Sequence, residues 1–449
     1  MKETKATVVI TSYNQKEELI RCLEWIKGIS EVANIIIADN ASEDGTAEFL
    51  SQSGYPYLFF DEGVQGYGTL CNAVIDNFDL EEFIIFMEPR YFLGFQCVLR
   101  MIEVLKMESC GMVGPMSNGF KHFQHYSIHR IENLCKIEND LMYCENVAKK
   151  VLCIEKGIWG ISKKILTENG RFDEEIVSSK NVVLDYELRM VQKGYLPMIS
   201  HRSLAFCNCV NQQKADFECM LGKCDRDILK EKWHMNYFNL IPANNIVDFI
   251  KEQKEARVRI LEVGCDLGVT LLEIKNRYPN AQIYGLEINP ASAEIAKHLA
   301  EVKVGNIEDQ EIPFEGTFDY IIFGDVLEHL HDPQGIVRFC REKLTERGCI
   351  LTSIPNVMHV TVMEQLLKGR FEYQDTGLLD RSHIHFFTFY EILRLFQEES
   401  YNIEEMKTTT VMLNEDDKEL IRKLMKISEN VEEHMYTTFQ YLVKARKNG

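Results

Sequence analysis

With 449 residues, 45% of them hydrophobic, the chain is too long for one ordinary core and apolar enough to fill two. Its formal net charge of −19 is spread along the sequence, which argues against nucleic acid or an anionic membrane as the main partner and makes small-molecule chemistry the default. The 14 cysteines lack dense regular spacing and read as reduced thiols of a cytoplasmic protein; Cys207 and Cys209 stand too close together for a zinc-knuckle pair.

The N-terminus, MKETKATVVITSYN, passes from charged residues straight into a strand pattern, and no later apolar run approaches bilayer length, so no transmembrane segment is expected and only membrane-surface docking stays open. Residues 6–10 and 34–38 are apolar β-rich runs around a helical pattern at 16–29, a β-α-β opening that implies a parallel sheet. Both runs end in polar residues, Thr11-Ser12-Tyr13-Asn14 and the stretch from Asp39 to Thr46, at the carboxyl ends where open α/β sheets take ligands. A further strand, residues 83–87, leads into Glu88-Pro89-Arg90.

The segments VVITSYNQKEEL, IIIADNASEDGT and GVQGYGTLCNAVI, in that order, resemble the family 2 glycosyltransferases, which have a nucleotide-diphospho-sugar-binding GT-A fold. The resemblance covers roughly the first half of the chain. It implies that Asp39 holds the base or ribose of a nucleotide sugar, with Thr11, Ser12 and Tyr13 lining the same cleft; the alternative is that Asp39 and Asn40 cap a turn. It also implies two acids on a divalent cation after Met87. Here only Glu88 is acidic, and the second place is Arg90, whose guanidinium suits direct pairing with phosphate.

Further along, residues 157–162 and Gly170-Arg171-Phe172-Asp173-Glu174 match the same family's acceptor-side strand and turn, with Trp159 read either as an acceptor-stacking or as a buried ring. Aligned on Gly194-Tyr195, the family's general base falls on Val182 or Val183, and valine takes no proton. Asp185, one turn along, is the surviving candidate base, with a structural role as its alternative. Lys232-Trp233 resembles the pair found near the end of this family. After the charged and aromatic stretch 216–239, a break at Ile241-Pro242-Ala243 sets domains of 1–240 and 241–449, the second opening on an amphipathic helix at 245–256.

Residues 259–270, RILEVGCDLGVT, read as a buried strand entering a loop where Gly264 and Gly268 give positive-φ freedom around a ligand. A dinucleotide fingerprint needs a small residue where this loop has Asp266, and an acid there repels a diphosphate. It suits S-adenosylmethionine, which carries a cationic sulfonium and no phosphate. The next strand, 282–286, ends on Glu287, placed to accept both ribose hydroxyls. After the strand at 302–304, Asn306 is expected to read the adenine edge and Ile307 to pack on the ring. The strand at 318–323 leads into Gly324-Asp325-Val326-Leu327-Glu328-His329.

LEVGCDLG, YGLEIN, VGNIED, FDYIIFGDVLEHLHDP and GCILTSIPN together resemble a class I S-adenosylmethionine-dependent methyltransferase, from about residue 258 onward. The resemblance implies a cofactor cleft of Glu262, Gly264, Asp266, Gly268, Glu287, Asn306, Ile307 and Asp325. The fourth strand lacks the Asn/Asp-Pro-Pro-aromatic turn of base-methylating enzymes, which favours an oxygen acceptor. A hydroxyl needs a base, and His329 is the candidate, while His331 reads as solvent-facing.

Residues 379–388 resemble a segment of methyltransferases that accompany sugar-modifying genes and would form part of a lid. Asp325, Glu328, His329 and His383 also follow the order of the Mg²⁺ ligands in certain RNA ribose methyltransferases, which leaves a divalent metal as an alternative to a histidine hydrogen-bonded within its loop. Past residue 401 a strand, a charged helix at 415–434 and a final antiparallel edge strand at 437–443 are expected.

The expectation is an α/β protein of two domains, a GT-A fold followed by a Rossmann-like class I methyltransferase. It would O-methylate a sugar or glycoconjugate acceptor with S-adenosylmethionine and bind a nucleotide-diphospho-sugar as candidate donor in its first domain. That domain is alternatively a non-catalytic glycan-binding module, and a third reading makes both halves inactive scaffolds. No nucleic-acid partner is expected, and the oligomeric state is open.

Overall fold

The computed structural model describes residues 5–61, 63–121, 124–208 and 225–448. Cys209 and residues 216–224 of the expected linker lie outside them. The chain divides into two compact units, Met1–Tyr237 and Phe238–Gly449.

The first unit is built on a nine-stranded mixed sheet. Its strands are β1 (Ala6–Ser12), β2 (Ala33–Asp39), β3 (Tyr57–Phe59), β4 (Phe83–Met87), β5 (Tyr91–Leu93), β6 (Cys110–Ser117), β7 (Ala148–Lys150), β8 (Ile158–Ser162) and β9 (Leu196–Cys207). They run in the order β3-β2-β1-β4-β8-β6-β9-β5, with β7 on β9. The β3-β2-β1-β4 part is parallel, and β8 is antiparallel to β4. Every residue of β1 is buried, as expected of a parallel strand covered on both faces. The helix Lys16–Ile26 buries Leu19, Cys22, Leu23 and Ile26, one stripe at helical spacing.

Trp159 belongs to this core rather than to an acceptor surface: it is fully buried, stacks on Phe86 with ring centroids 4.4 Å apart, and donates from Nε1 to the Tyr67 hydroxyl at 3.2 Å. The expectation of reduced thiols is corrected at one place, since Cys207 is disulfide-bonded while Cys22, Cys71, Cys97 and the other described cysteines are free.

The second unit holds a seven-stranded sheet of β10 (Arg259–Val263), β11 (Gln282–Glu287), β12 (Glu301–Val304), β13 (Phe318–Gly324), β14 (Leu344–Pro355), β15 (Tyr401–Thr410) and β16 (Thr438–Lys447), in the order β12-β11-β10-β13-β14-β16-β15. The first five neighbours are parallel, and β16 runs antiparallel to both β14 and β15. The expected edge strand is therefore interior, and β15 is the edge. The buried run Tyr441–Ala445 of β16 fits its interior place.

Two helices are shorter than their patterns suggested. The one expected at 245–256 covers only Asn244–Val247, because Phe249 and Ile250 reach the core from irregular backbone. The charged helix spans Glu415–Leu424, closed at its start by a capping box of Asn414 and Asp417. Among the described residues, no helix is long and apolar enough to cross a membrane.

Candidate functional site

In the first unit the expected nucleotide-side residues gather at the carboxyl edge of β2, β1 and β4. Ser12 is the register partner of Asp39, and the Thr11 hydroxyl donates to the Met87 carbonyl at 3.4 Å. Tyr13 follows, half-buried. Asp39 is fully covered. Its Oδ1 accepts the Ser42 amide at 2.9 Å and its Oδ2 the Ser42 hydroxyl at 2.8 Å, so in this arrangement it shapes a turn rather than presenting a carboxylate to a ligand. Burial raises its pKa against the pull of those bonds. Asn40 ties the turn to the loop after β3, donating to the Gln65 carbonyl and accepting the Gln65 amide, each at 2.9 Å.

At the place of the expected metal acids, Arg90 Nε lies 2.7 Å from Glu88 Oε2 in an ion pair, and the guanidinium lies 5.3 Å from the centroid of the Tyr91 ring. The carboxylate is thus neutralised within the chain. Both groups stay partly exposed, at 28% for Glu88 and 42% for Arg90.

Asp185 stands apart from this edge, on the helix Ser179–Gln192, and the structure corrects its candidacy as a base. It is fully buried, and both oxygens are occupied: Oδ2 accepts from Arg189 Nε at 2.9 Å, while Oδ1 accepts from Trp233 Nε1 at 3.0 Å and faces Lys232 Nζ at 2.8 Å. Such a carboxylate anchors the helix Asp225–Trp233; it has neither the exposure nor a free oxygen for proton transfer. Val182 and Val183, where the resembling family has its base, are buried on the same helix.

In the second unit every expected cofactor residue lies at the carboxyl edge of β10, β11, β12 and β13. Gly264, Asp266 and Gly268 all have positive φ, at +69°, +44° and +78°. A Cβ on Gly264 would meet Val326 Cγ2 at 2.8 Å, so the glycine lets the loop after β10 lie against the loop after β13. Glu287 Oε2 accepts the Asp266 amide and Oε1 the Asn289 amide, both at 2.8 Å, which fixes the carboxylate across the mouth of the loop.

Three acids meet here. Burial raises the pKa of Glu262 to about 8, with the charges of Asp266 and Glu287 adding to it; Asp266 and Glu287 are themselves raised, chiefly by burial. One oxygen of Glu262 is buried without a hydrogen-bond partner. A site of this kind favours a cationic ligand and repels a diphosphate.

Asn306 uses its side-chain oxygen to cap the turn Ile307–Asp309, accepting the Glu308 amide at 3.0 Å, and its NH₂ group is in none of the hydrogen bonds described. Ile307 is corrected as a ring-packing residue: it is 4% exposed, inside the core with Leu261 and Val263. The large apolar side chain on the surface beside Glu287 is instead Ile288, which the reading of the sequence passed over although it follows the acid directly.

Asp325, at φ +53°, is held in its strained conformation by two residues that sequence reasoning also missed. The Ser353 hydroxyl donates to its Oδ1 at 2.7 Å while accepting its amide at 3.0 Å, and Gln440 Nε2 donates to Oδ1 at 2.8 Å. These come from β14 and β16, whose pairing no local pattern reveals.

After β13 the turn Leu327–His329 and the segment 380–388 close on each other. The Ile384 and His385 amides donate to the Glu328 carbonyl at 2.9 and 3.0 Å. This brings Glu328, His329 and His383 together, with a candidate ligand atom from each within 4.8 Å of the others; Asp325 is outside that group. The Glu328 carboxylate is buried without a hydrogen-bond partner on either oxygen, and burial, reinforced by the Asp325 charge, pushes its pKa well up. His331, exposed as expected, pairs with Glu308 at 2.9 Å. A separate cavity of about 630 Å³, lined by Glu252, Arg257, Tyr320, Arg347 and Arg446, involves none of these residues.

A family model for glycosyl transferase family 2 matches residues 7–146, and one for a methyltransferase domain matches residues 235–405. Over 144 residues the chain is 26% identical to the ubiquinone biosynthesis O-methyltransferase of Acinetobacter baylyi, covering 29% of this chain and 60% of that protein. Over 158 residues it is 26% identical to the polyketide synthase ThaQ of Burkholderia thailandensis, covering 32% of this chain and 7% of that one. Among solved structures, the YcgJ protein of Bacillus subtilis is similar over 46% of this chain and 97% of its own, at 17% identity and a TM-score of 0.32. GalNAc-T7 with UDP, GalNAc and Mn²⁺ is similar over 45% of this chain and 43% of its own, at 12% identity and a TM-score of 0.36.

Proposed function

We propose that this chain, in which a family 2 glycosyltransferase domain is joined to a methyltransferase domain, transfers the methyl group of S-adenosylmethionine to a hydroxyl of a sugar or glycoconjugate. The observation that carries the reading is the acid-lined loop of Glu262, Asp266 and Glu287, which suits a sulfonium cofactor and opposes a diphosphate. In it Glu287 takes the ribose hydroxyls, Ile288 offers an apolar surface for the adenine and the Asn306 amide reads its edge. The acceptor hydroxyl lies on the side of Asp325 and is activated at the group of Glu328, His329 and His383.

In this reading, domain 1–240 grips a nucleotide sugar or glycan and delivers the acceptor to domain 241–449, which raises the local concentration of a shared intermediate. Two observations support gripping without transfer: Glu88 is neutralised by Arg90, and the family's base position holds buried valines. The O-methyltransferase activity named for the ubiquinone-biosynthesis relative fits an oxygen acceptor.

The test is calorimetric titration of S-adenosylmethionine, followed by mass analysis of products from a panel of glycans and nucleotide sugars. A mass gain of one methyl on a sugar hydroxyl is expected, with no glycosyl transfer. Cofactor binding with methylation of lipid phenols but of no sugar would overturn the acceptor class, and absence of cofactor binding would overturn the whole reading.

A further inference from the structure

We infer that Glu328, His329 and His383 hold a divalent first-row transition-metal ion, and that this ion rather than an imidazole base activates the acceptor hydroxyl. The second clause rests on the methyl-transfer reading above; the first does not.

The argument begins with protons. His329 Nδ1 lies 3.1 Å from the Ser382 carbonyl, and His383 Nδ1 lies 3.2 Å from the Leu378 carbonyl. A carbonyl oxygen only accepts, so each Nδ1 carries the hydrogen and each neutral ring keeps its lone pair on Nε2. The rings meet edge to face, with centroids 4.8 Å apart at 68°. Glu328 is fully buried, and neither of its oxygens has a donor.

Two lone pairs and a carboxyl group therefore converge, and among the described residues no Lys or Arg is paired with them. Unfilled, the arrangement leaves a buried carboxyl group without a partner beside two lone pairs, and a cation among the three would satisfy all of them. Glu328 Oε1 and His383 Nε2 are 3.9 Å apart, too far to share a proton. That span lies within the ~4.2 Å limit for two ligands that each bind one ion at about 2.1 Å, and the three ligand atoms, within 4.8 Å of one another, close on an ion by small side-chain rotations.

The surroundings hold the ligands as a metal site requires. Each imidazole has its second nitrogen fixed by a backbone carbonyl, the usual orienting bond behind a metal-bound histidine. The segment that brings His383 is fastened through the Ile384 and His385 amides to the carbonyl of Glu328 itself. Two imidazoles and one carboxylate select Mn²⁺, Fe²⁺, Co²⁺ or Zn²⁺ over the all-oxygen preference of Mg²⁺ and Ca²⁺.

Three protein ligands leave coordination positions open, and an acceptor hydroxyl fits one of them. Coordination lowers the hydroxyl pKa, so its proton passes to solvent water. The oxygen then bonds to the methyl carbon as the carbon–sulfur bond breaks, leaving S-adenosylhomocysteine as the neutral sulfide. With Nε2 of His329 committed as a ligand, that residue is not free to act as the base.

The experiment strips the full-length protein with a chelator and titrates Mn²⁺, Co²⁺, Zn²⁺ and Mg²⁺ by calorimetry, following the Co²⁺ visible spectrum in parallel. The expected result is one transition-metal ion per chain, at least ~100-fold weaker in Glu328→Gln and in His383→Ala, with S-adenosylmethionine binding retained in both as the check on folding. His331→Ala, exposed and outside the group, should bind the ion like the parent protein. No stoichiometric binding of any of the four ions, or binding unchanged in both variants, overturns the site. Methylation undiminished in chelated protein overturns its catalytic role, whereas metal binding without any methylated sugar leaves the site standing and removes the acceptor proposed above.

Discussion

Arg90 Nε sits 2.7 Å from Glu88 Oε2, so the acid at the tip of β4 is paired with a cation two residues along its own chain. A divalent ion would have to displace that guanidinium from a partly exposed site, where the ion pair is dynamic but the positive charge stays local. Binding of uridine or guanosine diphosphate to the first unit is therefore expected to have the same Kd in chelator as in Mn²⁺, and Arg90→Ala should weaken it about tenfold. Binding abolished by chelation would contradict this.

Asp185 is the buried anion between Arg189 and Lys232, and the indole of Trp233 completes its bonds. Replacing it by alanine leaves the Trp233 indole N–H without its acceptor and takes the shared carboxylate from Arg189 and Lys232, which keep the Asn169 and Arg171 carbonyls and Asp173, at a cost of about 3 kcal/mol. The first unit of Asp185→Ala should melt several degrees earlier, while S-adenosylmethionine binds with unchanged affinity. A variant as stable as the parent protein would refute the anchoring role.

The raised pKa of Glu262, about 8, fixes the sign of a pH effect. Because the folded pKa lies above the ordinary value, stability from this group is fully present below about pH 4.5 and is lost as pH rises toward 8. Asp266 and Glu287 are shifted the same way. Unfolding of the second unit at pH 5, 6, 7 and 8 should show a falling midpoint, with a shallower slope in Glu262→Gln. Binding of the cationic cofactor near pH 7 should release up to about one proton, read from calorimetry in buffers of different ionisation enthalpy. An equal slope in the variant would rule out Glu262 as the source.

Gly264→Ala combines φ +69° with a Cβ 2.8 Å from Val326 Cγ2. The left-handed conformation alone costs alanine about 1 kcal/mol, and the contact pushes on the turn that bears Asp325. Cofactor affinity should fall at least about tenfold, with the fold retained by circular dichroism. Unchanged affinity would show that the two loops need not lie together.

The parallel cores of both units were legible because their strands are apolar β-branched runs that end in polar loops, and the positions of Glu287 and Asp325 followed from that. Relationships set by distant chain were not. Asp185 looked available because its neighbours on the helix give no hint of Lys232 and Trp233, which lie 47 and 48 residues away. The strand at Thr438–Lys447 read as an edge because its alternation tells which faces are covered, not which strands flank it. The helix at 415–434 read as too long because its charged pattern continues past Leu424, although the chain then turns through Asn430 at positive φ. Ser42, by contrast, stood in plain sight three residues after Asp39, at the spacing of a side chain that caps its own turn.

The interior place of β16 sets an order of events during synthesis. Asp325 emerges from the ribosome more than a hundred residues before Gln440, yet the two are joined at 2.8 Å, and Ser353 reaches its own partner in the sheet, Leu442, only when β16 arrives. A nascent chain can form the glycine loop and its acids early from β10 to β13. The wall beside Asp325 waits for the strand that pairs with β14 on one side and with β15 on the other. On the reading proposed above, the glycine loop precedes the wall beside Asp325 in the order of synthesis, and a chain ending before residue 438 lacks the Gln440 that this wall requires.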